Sequence, residues 1–318
     1  MPRLLAAFAF VFLAGAVHAQ EGKPIRFMVA FTPGGTADTI ARVISQKIGE
    51  TRAIHSIVEN RGGANGTIGL EAFRSWPADG TSFSVVSNSQ VAAQMVSSSV
   101  KWDIARDFEQ MLYLGDSPMV IASYPARVDA RTLAEMIALA KAAPGRYVYG
   151  HCGLGSTHHL AMELLKVRTG VEIREVGYRG CSPAATDAVG GQLDFVVASA
   201  PAVLPHVRSG KLRGLAVTGT KRSAAAPELP TMGEAIAQKD AAVGNWYALV
   251  AVRGTPKEAM ARLEAAVREA MARPDVIERL AGAGIEVAVG GADVLREAIA
   301  QDVRNFRPVI DAAHIRLD

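Results

Sequence analysis

The sequence predicts an α/β protein of two lobes, each a sheet covered by helices, with a cleft at the carboxyl ends of the strands. Three observations predict it. Short apolar runs alternate with amphipathic stretches in β-α-β order, the pattern restarts near residue 119, and the same unit recurs throughout: a strand, a Gly- or Ser-rich turn, and a helix start. In open α/β sheets, ligands sit at the carboxyl ends of strands, so those turns are where a site is expected.

The elements follow in order. Residues 25–30 form an apolar strand, Pro33-Gly34-Gly35 turns the chain, and 36–50 form a helix with Ile40, Val43, Ile44, Lys47 and Ile48 on one face. A second strand at 55–58, a glycine-rich turn at 60–66, a helix at 67–76 and a strand at 82–87 complete a β-α-β-α-β run, which argues for a parallel sheet. The restart comprises a strand at 119–123, a helix at 132–142 stopped by Pro144-Gly145, a strand at 147–150 and a helix at 157–168. A strand at 172–178 leads to Ser182-Pro183, which reads as an N-cap followed by Pro at the first helical position. That helix ends at Gly190-Gly191, and strands follow at 193–198 and 212–218. The tail has a strand at 246–252 and helices at 256–272, 275–283 and 292–313.

The 318 residues are 49% hydrophobic and 20% charged, enough for a sizeable core and for two domains of ordinary size. With 34 basic and 31 acidic residues, the charge is too even for a nucleic-acid footprint. The first residues read as a secretion leader. Arg3 supplies the positive end, 4–16 is apolar but short of the ~20 residues that span a bilayer, and Val17-His18-Ala19 offers a cleavage site after Ala19. No Cys follows for a lipid anchor, so a soluble exported protein is expected. The only cysteines are Cys152 and Cys181. In an exported chain they are a disulfide or two free buried thiols; spacing alone does not choose.

Three junctions carry chemistry. Phe31-Thr32-Pro33-Gly34-Gly35-Thr36-Ala37-Asp38 places paired glycines before a helix start, whose free N–H groups and partial positive charge suit a carboxylate or phosphate. The alternative is a tight turn with no ligand. No Gly-Lys-Ser or three-glycine spacing makes it a P-loop or a dinucleotide fingerprint. Gly150 to His159 repeats the logic, with Ser156 able to cap or donate. His158 and His159 diverge by about 100° on a helix, so only one can face a site. No Glu or further His stands at zinc spacing. At Tyr178-Arg179-Gly180-Cys181-Ser182-Pro183-Ala184, Arg179 either forks onto a ligand carboxylate or lies solvated, and Asp187 reads as complementing the helix dipole. A hydrolase would need Ser156 as nucleophile, but position 158 is His, so the Gly-x-Ser-x-Gly elbow is incomplete.

These segments, with Lys23-Pro24-Ile25-Arg26, Glu59-Asn60-Arg61-Gly62-Gly63-Ala64-Asn65-Gly66, Pro77-Ala78-Asp79-Gly80, Gly155-Ser156-Thr157-His158-His159-Leu160-Ala161, Gly190-Gly191-Gln192-Leu193-Asp194 and Gly244-Asn245-Trp246, resemble the extracytoplasmic receptors of the tripartite tricarboxylate transporter family, also called Bug proteins. The resemblance runs over essentially the whole mature chain. It implies a two-lobed periplasmic-binding-protein (Venus-flytrap) fold, type II-like, in which the chain crosses between lobes twice. The expected division is a signal peptide at 1–19, one lobe from 20–125 and 248–318, and the other from 126–247. The resemblance implies a periplasmic monomer that binds a small mono- or dicarboxylate and delivers it to integral-membrane transporter subunits, with no enzyme activity, cofactor, metal or nucleic acid. An extracytoplasmic sensing module is the alternative. Carried over, the ligand residues are Thr32, Gly34, Gly35, Thr36, Asp38, Ser87, Asn88, Gly155, Ser156, Thr157, Tyr178, Gly180 and Ser199, to which the helix start at Ser156 adds His158 as a candidate. Some members carry cysteines at the two positions of Cys152 and Cys181, which supports a disulfide. The chain departs from the family at His151, His158, Gly177 and Thr81-Ser82-Phe83.

Overall fold

The computed structural model describes residues 23–317, so the leader expected at 1–19 lies outside the described residues. The first sheet is built from β1 (Ile25–Val29), α1 (Thr36–Arg52), β2 (Ser56–Asn60), α2 (Thr67–Arg74), β3 (Ser82–Ser87), α3 (Asn88–Val96) and β4 (Phe108–Asp116). The second contains β5 (Met119–Ser123), α4 (Leu133–Ala142), β6 (Val148–His151), α5 (Thr157–Thr169), β7 (Arg174–Gly177), α6 (Cys181–Val189), β8 (Phe195–Ser199), α7 (Ala200–Arg208), β9 (Arg213–Val217) and α8 (Met232–Ala235). The chain then returns to the first lobe through β10 (Trp246–Val252), α9 (Lys257–Met271), α10 (Pro274–Gly282), β11 (Glu286–Gly290) and α11 (Ala292–Ala312).

The strand orders are β11-β4-β10-β3-β1-β2 and β7-β6-β8-β5-β9. As the β-α-β-α-β pattern required, β2, β1 and β3 are parallel. The sheets as wholes are mixed, because β10 and β5 each lie antiparallel between two neighbours. Each of these strands is the first after a crossing, so it enters its sheet from the end facing the other lobe and runs opposite to the strands of the local β-α-β units. Apart from the extra edge strand β11, both lobes thereby share one topology.

Along β1 the apolar side chains alternate. Phe27 and Val29 pack with Ile40, Ile44, Phe83, Leu249 and Val267 on the α1/α9 side. Met28 and Ala30 join Leu70, Phe73, Val86 and Phe108 on the other. A strand buried on both faces reads as a continuous apolar run, which is why it was legible. The second cluster continues into the other lobe through Leu160, Tyr149 and Phe195, so one hydrophobic spine joins the lobes. Among the described residues no helix is long and apolar enough to cross a membrane.

Sheet membership moves two expectations. β5 is paired into the second sheet, so the first crossing falls at Ser117-Pro118 rather than at the expected 125/126 boundary. The return falls at Gly244-Asn245, just before β10, whereas 247/248 would cut that strand. The crossings are tied together: the Ser117 N–H donates to the Asn245 carbonyl at 2.9 Å. The N-cap of α6 is Gly180, not Ser182, and no side chain caps it. Asp187 therefore lies near the C-terminal end of α6, where it accepts the Tyr178 hydroxyl at 2.7 Å instead of complementing the dipole.

Candidate functional site

A narrow cleft with a free volume of about 30 Å³ lies between the lobes. Its wall is assembled from strand-to-helix junctions. Phe31, Thr32, Gly35, Thr36 and Ala37 come from the turn after β1, and Ser87 and Ser89 from the end of β3. Cys152, Ser156 and His158 follow β6, Cys181 opens α6, and Ser199 closes β8. Asn65 and Tyr247 complete the lining. Five helices, α1, α3, α5, α6 and α7, thus begin at this cleft. Each start carries about half a positive charge on N–H groups that have no intrahelical partner. Side-chain caps are present on α3 (Ser87) and α5 (Ser156), whereas α1, α6 and α7 have none. None of the lining residues is Asp, Glu, Lys or Arg. The field in the cleft is therefore positive and comes from backbone dipoles.

Local sequence explains each wall. At Gly34, φ is +86°, a conformation that costs glycine nothing and lets the chain turn sharply into α1. The turn is held from behind: Asp38 accepts the Gly34 N–H at 3.0 Å, Arg42 Nε at 3.0 Å and Asn60 Nδ2 at 2.9 Å. Burial opposes ionisation of Asp38, but those donors outweigh it and hold the carboxyl below its ordinary range. Asp38 is thus a buttress of the turn and does not line the cleft.

In the second lobe Cys152 and Cys181 form a disulfide that joins the end of β6 to the start of α6 and lines the cleft. Ser156 Oγ accepts the His159 N–H at 3.2 Å, an N-cap arrangement. The neighbouring histidines diverge. His158 lines the cleft, and burial pushes its imidazole down to about 3, so the ring is neutral. His159 turns away to Glu175, at 2.7 Å. Beside it His151 is fully buried, with its ring stacked on His159 at 4.8 Å. Hydrogen bonding to both histidines holds Glu175 well below the usual carboxylate range.

Two groups bring three ligand-type atoms within 4.8 Å of one another. In Cys152, His158 and Cys181 both sulfurs are committed to the disulfide. In His151, His159 and Glu175, the Gly155 N–H points at His159 Nδ1 at 3.1 Å, which assigns the ring proton to Nε2, facing Glu175. That nitrogen has no lone pair for a metal.

Of the residues singled out from sequence, Thr32, Gly35, Thr36, Ser87, Ser156, His158 and Ser199 line the cleft. The others lie behind the wall or bring the lobes together. Gly34 sits against Ser182, whose hydroxyl donates to the Pro33 carbonyl of the facing lobe at 3.1 Å. Gly180 packs on Thr32. Thr157 and Ser89 share a hydroxyl contact of 3.0 Å between lobes, and Asn88 Nδ2 donates to the Gly244 carbonyl at 3.1 Å in the crossing. Gly155 serves His159, and Tyr178 with the exposed Arg179 faces a separate, larger and more open side cleft. The lobes are therefore closed on each other.

Phe31, Ala37, Asn65, Ser89 and Tyr247 line the cleft without having been singled out. Asn65 had a signal: it follows two glycines and takes a left-handed φ of +51°, which Asn tolerates better than most residues. Tyr247 had none, since it reads as a core strand residue. Its hydroxyl accepts Asn245 Nδ2 at 2.7 Å, and burial raises its pKa to about 12.

Residues 40–315 match the family model described as the tripartite tricarboxylate transporter family receptor. Protein BugT of Bordetella pertussis is 32% identical over 318 residues, covering 98% of this chain and 97% of BugT. The structure of Rpa4515 of R. palustris with adipate superposes with a TM-score of 0.88 at 29% identity, covering 92% of this chain and 98% of that one. MatC of Rhodopseudomonas palustris with bound malate gives 0.83 at 26% identity, covering 90% and 98%. Two lobes of matching topology, a cleft of converging helix starts and a family match over most of the chain together lead to one conclusion: this chain belongs to the solute receptors of the tripartite tricarboxylate transporter family.

Proposed function

We propose that the chain is a periplasmic receptor that binds a small mono- or dicarboxylate between its lobes and presents it, as a monomer, to the membrane subunits of a tripartite tricarboxylate-type transporter. The observation that carries this reading is the convergence of five helix starts on one cleft lined by no acidic side chain. An anion there gains from several preoriented dipoles, and three of the five starts have no side-chain cap to compete for their N–H groups. A cationic ligand does not suit that field. Solved relatives with adipate and with malate support a carboxylate over other anions. The leader-like residues 1–19 support export.

A thermal-shift panel of small mono- and dicarboxylates against the mature chain tests it. A ligand at a hundredfold excess over its dissociation constant stabilises the folded state by about 2.7 kcal/mol. At least one carboxylate is expected to raise the melting point, and deletion of the gene is expected to abolish its uptake. Stabilisation by neutral or cationic solutes alone would sink the reading; binding without an uptake defect would redirect it to sensing.

A further inference from the structure

Three buried polar atoms that line the cleft have no partner among the described residues; the Ser199 hydroxyl can donate to a carboxylate, but the other two are acceptors that a carboxylate cannot satisfy. The first is on His158, which is 4% exposed and lines the cleft. Its Nε2 lies 3.4 Å from Cys181 Sγ. That sulfur is in a disulfide and has no proton to give, so the ring must be the donor. The Nε2–H tautomer leaves Nδ1 as a bare lone pair, and Nδ1 is buried without a partner. The second is on Asn65, 7% exposed and also lining the cleft. Its Nδ2 donates to the Ser89 carbonyl at 3.0 Å, which fixes the amide and leaves Oδ1 buried and unpaired.

A buried acceptor without a donor costs free energy until something donates to it. Carboxylate oxygens would face both atoms with lone pairs and repel them. A ligand that fills the cleft pairs them directly only by bringing a proton-bearing group of its own. Five helix starts and no acidic lining residue make an ammonium unfavourable here, which leaves a neutral donor. We infer that the ligand is a hydroxycarboxylate, its carboxylate on the helix starts and its hydroxyl donating to His158 Nδ1 or Asn65 Oδ1. This rests on the carboxylate reading above and narrows it.

The test is isothermal calorimetry on the mature, disulfide-bonded protein with matched pairs that differ by one hydroxyl: glycolate and acetate, lactate and propionate, 3-hydroxybutyrate and butyrate, malate and succinate. Alanine is included as the ammonium counterpart of lactate. In the best-binding pair the hydroxy acid is expected to bind at least about tenfold tighter. In at least one of two variants, His158→Phe, which keeps an aromatic ring and removes Nδ1, and Asn65→Gly, which removes Oδ1 and suits the left-handed φ of +51°, that ratio is expected to fall several-fold while the plain acid changes little; an unchanged ratio in both overturns the inference. Wild-type affinity for the hydroxy acid is expected to be flat between pH 6 and 8, because a donated hydroxyl leaves the ring neutral. Equal or tighter binding of the plain acids, or preference for alanine, overturns the inference and leaves the carboxylate reading standing. Affinity that climbs steeply as pH falls also overturns it, since His158 would then be taking up a proton to pair with a carboxylate; this measurement needs no variant. Failure of every acid to bind overturns both.

Discussion

Replacing Gly180 by Ala would place a methyl carbon 2.2 Å from Thr32 Oγ1, across the boundary between the lobes. The substitution has two separable effects. Gly180 has φ +152° and ψ 176°, a region open essentially to glycine alone, and holding Ala there costs about 1–3 kcal/mol whether the lobes are open or closed. The clash with Thr32 exists only when the lobes meet. Overpacking of this kind costs about 1–3 kcal/mol, which lowers ligand affinity by about 5- to 150-fold if binding requires closure. The melting point should therefore fall through the first effect and the affinity through the second. Thr32→Ala removes the opposing hydroxyl, so the double variant should recover most of the affinity relative to Thr32→Ala alone, but not the melting point. Calorimetric titration with any carboxylate that binds the wild type, done as a double-mutant cycle, reads the coupling directly. A coupling near zero would refute the claim that these two residues meet in the ligand-bound state.

Two further predictions concern stability. The disulfide closes a loop of sequence separation 29, so the Cys152→Ser, Cys181→Ser double variant should lose about 3.6 kcal/mol in denaturant titration; an unchanged midpoint would contradict the bond. Asp302 on α11 accepts Trp246 Nε1 at 2.5 Å, and burial pushes its carboxyl up to about 7. Between about pH 4 and 7 the unfolded chain releases this proton while the folded chain keeps it, so Asp302 makes stability fall as pH rises through that window and adds no slope above it. Asp302→Asn keeps an oxygen for the indole. Its melting point relative to wild type should rise from pH 4 to 7 and then level; a constant difference would refute the assignment.

Much of the fold was legible because its elements carry their own signals. β1 reads as a strand from its apolar run, and α1 as a helix from the stripe of Ile40, Val43, Ile44 and Ile48, all of which are buried. Elements whose order comes from their neighbours were not legible. β4 carries Glu109, Gln110 and Asp116 yet lies inside the sheet between β10 and β11. α7 contains Pro201 and Pro205, which read as breakers, and it is nevertheless a helix starting at the cleft. Weak local patterns are overridden when packing supplies the missing free energy.

The glycine- and serine-rich junctions at Pro33–Asp38, Gly153–His158 and Tyr178–Pro183 were determined by the sequence alone, because turns and helix starts are local chemistry. That they converge was decided by the tertiary structure. The two crossings of the chain between the sheets bring the strand-to-helix junctions of both lobes together, so that helix starts more than a hundred residues apart meet at one cleft. The same packing turned Asp38 from a candidate ligand into the support of its turn, and set Asn65 and His158 at the wall with acceptors that have no partner among the described residues. A side chain's partner is a property of the assembled fold, and no spacing along the chain records it.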